Sequence, residues 1–323
     1  MGFDATRRDV LGLLGAALSL PALAAAPALE APPGQDGFLD LMPEFWMAYD
    51  AHRAEAAPAR TQALVDGFFS KHADRYLQAG VKARPEDVAK WLPRFDGLAT
   101  AARGVHRRFA HGYAGNLGRF RSVLADFDGR ASPVTLMPSL MHFDAHLQPD
   151  GPRLPLFFGP DAIVYLHGAD ADLAVLFSHE LFHCYQGQKN PAMCLDPRAP
   201  VYASLWMEGT ATWASECMNP GASPQAVLLN AELAQATPSQ LHAAARAMLS
   251  ALDAWDDATQ SLFFSIGQHG DGWPPRAGYA VGLQIARGLG KTMSLPQMAA
   301  LPAPRVRETL AQALADFVKA PPG

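Results

Sequence analysis

Leu173-Ala174-Val175-Leu176-Phe177-Ser178-His179-Glu180-Leu181-Phe182-His183-Cys184 is the stretch on which the reading of this chain turns. Its apolar residues recur at helical spacing, and Asp170 as a cap with Gly187 as a stop predicts a helix from about Ala171 to Gln186. His179 and His183 stand four apart, so on a helix they lie about 40° apart around one face and both imidazoles can reach a single metal ion. Glu180 between them points to the side. There it is suited to take a proton from a metal-bound water and not to ligate the metal itself.

Downstream, Trp206-Met207-Glu208-Gly209-Thr210-Ala211 falls in a second predicted helix, from about Tyr202 to Cys217, which Asn219-Pro220 ends. A tetrahedral catalytic zinc needs three protein ligands and one open position, and two His with one Glu is an established set. Glu208 supplies the third ligand. Gly209 beside it is read as the place where this helix comes close to the metal helix.

The His-Glu-x-x-His motif followed by a Glu-Gly-x-Ala helix resembles the gluzincin metallopeptidases, and especially bacterial families described as predicted zinc-dependent proteases. The likeness is strongest from Val134 to Cys217, and Arg276-Ala277-Gly278-Tyr279-Ala280-Val281-Gly282 is similar to a Gly-Tyr helix start that such families carry late in the chain. The resemblance implies His179, His183 and Glu208 as zinc ligands and Glu180 as general base. The Gly-x-Met-Glu-Asn signature of the best-known exopeptidase branch is absent, so no aminopeptidase activity is carried across.

Outward from this core the texture changes. Short apolar runs at Val134 to Met137, Leu154 to Phe158 and Ile163 to Leu166 read as strands, the last pair joined by a Gly159-Pro160-Asp161 turn. By analogy the edge of such a sheet receives an extended peptide. From Phe38 to about Asp126 the spacing is helical, as in Leu64, Phe68, Tyr76 and Leu77, and it is helical again from a Ser223 cap to the end, apart from a loop at Gly267 to Pro275. The expected fold is α+β and mostly helical, a zincin-like core with a small mixed sheet packed on the metal helix and helical segments on both sides. The segments are a signal at 1–26, a linker at 27–37, a helical subdomain at 38–130, the metal-binding core at 131–220 and a helical subdomain at 221–323.

The first 26 residues have a charged head with Arg7-Arg8, an apolar stretch to Leu23 and a small-residue end, and resemble a twin-arginine export signal. Val10 to Leu23 is too short to span a bilayer. The expected mature product is a bacterial periplasmic or secreted protein that meets the export machinery through this signal. The 323 residues, 49% hydrophobic and 18% charged, read as globular, and a net charge of −5 without a basic run excludes nucleic acid as a partner. Cys184, Cys194 and Cys217 are too few for a disulfide scaffold, with Cys194 to Cys217 the one bridge considered.

The chemistry expected of the site is hydrolysis of a peptide bond in a peptide or protein substrate: Glu180 takes a proton from the attacking water and returns it to the leaving amine. A donor from the C-terminal part is needed for the oxyanion, with Tyr279 first and His269 and Arg276 behind it. Glu216 or Asp172 is the candidate to orient a ligand histidine. Three other readings stand beside this one. The site can cleave a different amide, as in cell-wall material; zinc can merely staple two helices of a binding protein; and His142 with His146 can form a second metal pair, although loop signals bracket them. His52, His72, His106 and His111 are scattered among polar residues and read as surface or packing histidines. No Gly-x-Ser-x-Gly elbow supports a serine hydrolase.

Overall fold

The computed structural model describes residues 37–196, 198–267 and 269–321. The export signal read at 1–26 and the linker up to residue 36 lie outside the described residues. The chain is mostly helical with one small mixed sheet, and its residues gather into two compact units. One holds the described residues up to Gly115 together with Asp128–Leu173; the other holds Asn116–Phe127 and the described residues from Ala174 onward. The units divide at Leu173, within the stretch 131–220 that the sequence presents as one core. No helix among the described residues is long and apolar enough to cross a membrane.

In the first unit β1 (Phe38–Asp40) is followed by α1 (Met42–Ala51), α2 (Ala57–Leu64), α3 (Ala73–Gln78) and the long α4 (Pro85–Val123), of which the residues up to Gly115 belong to this unit. Then come β2 (Val134–Leu136), β3 (Ala145–Leu147), β4 (Leu156–Phe158) and α5 (Pro160–His167). The sheet order is β1-β2-β4-β3, with β1, β2 and β4 parallel and β3 antiparallel on β4. Val134, Leu136 and all of β4 are buried, as the central strands of a covered parallel sheet should be. Phe45, Trp46, Phe68, Phe69, Trp91 and Phe95 form an aromatic core of edge-to-face, tilted and stacked pairs.

Two expectations are corrected here. Ile163 to Leu166 is not a strand: Pro160 starts α5 with its fixed φ, and the Gly159-Pro160-Asp161 run is a helix entry and not a hairpin turn. A four-residue apolar run carries no period of its own, so the proline decides. In turn β1 and β3 carry almost no pattern, being three residues each and half-buried.

The second unit contains α6 (Leu173–Lys189, from Ala174), α7 (Pro191–Cys194), α8 (Val201–Met218) and α9 (Pro224–Val227). It continues with α10 (Pro238–Ser250), α11 (Asp257–Phe264), α12 (Ala277–Leu289), α13 (Leu295–Ala299) and α14 (Ala303–Lys319). The two helices that carry His179, His183 and Glu208 fall close to where the sequence puts them, but α6 runs through Gly187 to Lys189, so that glycine is no stop. Ser223 does cap α9, its hydroxyl accepting from Ala226 N. The described residues of 265–276 hold no helix, as expected of a Gly/Pro-rich stretch. Cys194 and Cys217 form no disulfide: one is buried in α7, the other exposed near the end of α8, which corrects that pairing.

α8 is the axis of this unit, with fourteen of its residues, Glu208 among them, buried on nearly all sides. It lies antiparallel to α6. At one end Asn219 Nδ2 donates to Ser178 Oγ at 3.2 Å, and at the other Gln186 Nε2 donates to the Met207 carbonyl at 3.2 Å. On its opposite side α8 crosses α12 at Gly209 and Gly282, where a Cβ on Gly209 would stand 2.6 Å from the Gly282 backbone. The sequence reading turned Gly209 towards the metal helix. A step of one residue around a helix is about 100°, so with Glu208 facing α6 its neighbour faces α12.

Candidate metal centre

His179, His183 and Glu208 converge. His179 Nε2 and Glu208 Oε2 are 3.2 Å apart, His183 Nε2 and Glu208 Oε2 3.4 Å, and the two Nε2 atoms 3.1 Å. Among the described residues this is the group of three or more metal-binding side chains that could hold an ion. Ligands about 2.0–2.1 Å from a tetrahedral zinc stand roughly 3.3 Å from one another, so the triangle already has the edge length of one face of that shell. The donor types, two imidazoles and a carboxylate, fit the same ion.

Burial makes the triangle unstable as a purely protein arrangement. His179 is 2% and Glu208 5% exposed. Burial drives His179 down to about 4, with the His183 charge and Arg276 adding to the effect against the hydrogen bond from Glu208. Burial also works against charge on His183, but the Glu208 carboxylate, aided by Glu180, reverses this and lifts it to about 9. Glu208, which burial alone would raise, is held by the two histidines well below the ordinary carboxylate range. The Glu208 carboxylate thus favours a proton on His183, while burial keeps His179 neutral.

Glu180 follows His179 on α6 and is only partly buried, so its carboxylate stays within reach of water while contributing to the field at His183 and Tyr279. Tyr279, on the first turn of α12, is brought to the site: its ring lies nearly parallel to that of His179, with centroids 6.1 Å apart. Burial, then the Glu208 charge, push its phenol well above the ordinary value, so it remains an O–H donor. Arg276 is 4% exposed with its guanidinium 3.9 Å from the Tyr279 ring centre, and it holds a left-handed φ of 61° where α12 begins. Close packing brings both residues here: Gly282 meets Gly209, and a Cβ on Gly278 would lie 2.3 Å from the Phe264 ring.

Not every expected residue arrives. His269 is exposed in the loop, its Nδ1 3.1 Å from the Gly270 carbonyl oxygen, and no contact links it to the three ligand candidates. Glu216 is bound in an exposed ion pair with Arg287, at 2.8 Å to its Nε, and Asp172 is exposed before α6, so neither is the outer support. That place belongs to Gln186, which sequence reasoning missed: its Oε1 stands 2.9 Å from His183 Nδ1. Its position one turn after His183 was the available signal. His142 sits in a bend and His146 in β3, sharing a contact with Gln148 at 3.1 Å, so they are not a helical pair. Among the other histidines, His52 meets Glu55, His72 meets Glu44, and His106 lies between Asp40 and the Trp46 indole. Comparison with protein-family models, curated proteins and solved structures found no match to this chain.

Proposed function

We propose that the chain is an exported zinc-dependent hydrolase of the gluzincin type that cleaves peptide bonds. The observation that carries this reading is the buried triangle of His179 Nε2, His183 Nε2 and Glu208 Oε2, with edges of 3.1–3.4 Å, beside a half-buried Glu180. These three side chains would hold the zinc, which when bound supplies a Lewis acid that brings the pKa of water to about 7. A closed structural site has no use for a carboxylate at the position of Glu180, and the partial exposure of that residue suits a group that must meet water and substrate.

The chain's own residues then divide the work. Glu180 accepts the proton of the attacking water and delivers it to the nitrogen of the leaving amine. Tyr279, kept protonated by burial, donates its O–H to the oxygen that gains charge at the scissile carbonyl. Arg276, over the face of that ring, adds positive charge to the same side. The export part of the proposal rests on residues 1–26.

The test pairs metal content with turnover. Zinc is measured by elemental analysis in the wild type and in Glu180→Gln, and both are assayed on a library of quenched fluorescent peptides. One zinc per chain in each, with turnover in the variant lower by about 10²–10⁴-fold, is expected. Equal turnover in the two proteins would remove Glu180 as the base, and no zinc in either would remove the site.

A further inference from the structure

The hydrogen bonds around His183 have directions that the backbone fixes. The Met207 carbonyl can only accept, so its 3.2 Å contact with Gln186 must come from the amide nitrogen of that side chain. The Trp206 carbonyl likewise takes the hydroxyl proton of Thr210, at 2.8 Å. A lone pair of the Thr210 oxygen is then left to accept the second N–H of Gln186, at 2.7 Å. Both amide protons of Gln186 are thus engaged by α8, which turns its carbonyl oxygen towards His183 Nδ1 at 2.9 Å. An acceptor at that point requires a proton on Nδ1. A neutral imidazole protonated at Nδ1 offers its lone pair at Nε2, the atom that faces His179 and Glu208. Gln186 is 1% exposed, so bulk water does not compete for any of these bonds.

We infer that Gln186, oriented by Thr210 and the Met207 carbonyl, is a positioning residue that sets the tautomer of His183 and ties that ligand to the helix carrying Glu208. The inference rests on the zinc reading of the site and deepens it. Two of the three ligand-bearing positions are thereby coupled: a shift of α8 that moves Glu208 also moves the carbonyls that hold Gln186, and with them the His183 ring. An amide suits this place better than a carboxylate would, because a second oxygen there would face the Met207 carbonyl without a proton between them. His179 is held differently. Its Nδ1 is buried without a hydrogen-bond partner, and its ring is steadied by the parallel face of Tyr279. The two histidines of one motif therefore differ in how firmly their ring orientation is set, and His183 is the anchored one.

The experiment measures zinc affinity of the full chain by competition with a fluorescent chelator, together with nitrogen-15 histidine NMR of the zinc-loaded protein. Gln186→Met keeps the volume, removes all three hydrogen bonds, and is expected to weaken zinc binding by about 10–100-fold. Thr210→Val should shift affinity in the same direction by less, and Thr210→Ser, which keeps the hydroxyl, should restore the wild-type value. The NMR spectrum should show His183 protonated at Nδ1. Wild-type affinity in Gln186→Met, or a proton on Nε2 of His183 in the loaded protein, would overturn the inference. If Gln186→Met does not fold, the Thr210 pair and the wild-type spectrum decide it. A wild-type chain that binds no zinc removes the metal reading and this inference with it. Zinc binding with the expected pattern but no peptide cleavage removes the peptidase reading alone.

Discussion

Asp161 and Glu208 are both buried carboxylates, one in each compact unit, and their surroundings are opposite in kind. Asp161, fully buried at the start of α5, is met only by donors: Ser139 N at 2.8 Å, Ser139 Oγ at 3.0 Å, Met141 N at 2.9 Å and the Trp91 indole at 3.0 Å. Burial pushes its carboxyl above the ordinary value and these four bonds oppose that. The arrangement also holds Leu140 and Met141 at left-handed φ values of 54° and 64°. Glu208 is met by two imidazole nitrogens that also face each other. A carboxylate enclosed by donors is complete as it stands and is a structural element. A carboxylate faced by two imidazole nitrogens belongs to a set of donors that could hold a metal ion, and this sets it apart from a buried polar network more sharply than burial or pKa does.

The comparison breaks most readily by removing charge without volume at each place. Glu208→Gln should lower zinc affinity by about 10²-fold or more, since a ligand oxygen is traded for an amide. It should also take from the metal-free protein the stability that the His183 proton contributes near pH 6.5, because the charge that lifts His183 is gone. Asp161→Asn should leave the metal site alone. Its NH₂ would confront donors that have no other partner, at a cost of about 3 kcal/mol in denaturant unfolding, and zinc titration of the folded protein should give the wild-type affinity. If Glu208→Gln keeps its zinc, or Asp161→Asn is as stable as the wild type, the two carboxylates are not different in kind.

How much of this was readable beforehand follows the same division. The two helices and the three side chains that converge between them were legible because such a cluster is written in residue types at helical spacing, which His179, His183 and Glu208 display. The mixed, mostly helical fold class was legible from texture. Asp161 was read as part of a turn, because what surrounds it comes from Trp91 and Ser139, far away in the chain, and no local pattern encodes such a shell. Gln186 was missed for a related reason: its importance lies in two carbonyls and a hydroxyl of α8, and sequence spacing does not say which way an amide is turned. Spacing favours Glu216, eight residues after Glu208 and roughly on its face, over Gln186. Gly209 was seen as a close approach but assigned the wrong neighbour, since Gly282 on α12 could not be paired with it before the fold was known.

The smallest effect expected is also the one that most directly reads the charge state of the triangle. In the metal-free protein His183 is lifted to about 9 by Glu208, above the roughly 6.5 of an unfolded histidine, so its contribution to stability is complete below about pH 6.5 and is lost as pH rises through 9. His179 is lowered to about 4, so its effect runs the other way: stability is lost as pH falls from 6.5 towards 4. Metal-free protein should therefore melt highest near pH 6.5 and a few degrees lower by pH 9. Zinc needs both imidazoles neutral, so the loaded protein has no proton at His183 to lose and its melting temperature should hold over the same alkaline range. The gap between loaded and metal-free melting temperatures must then widen from pH 6.5 to 9, as calorimetry can follow. A gap that stays constant would mean that no proton occupies the triangle in the cation's place, and Glu208 would then stand closer to Asp161 than the distances imply.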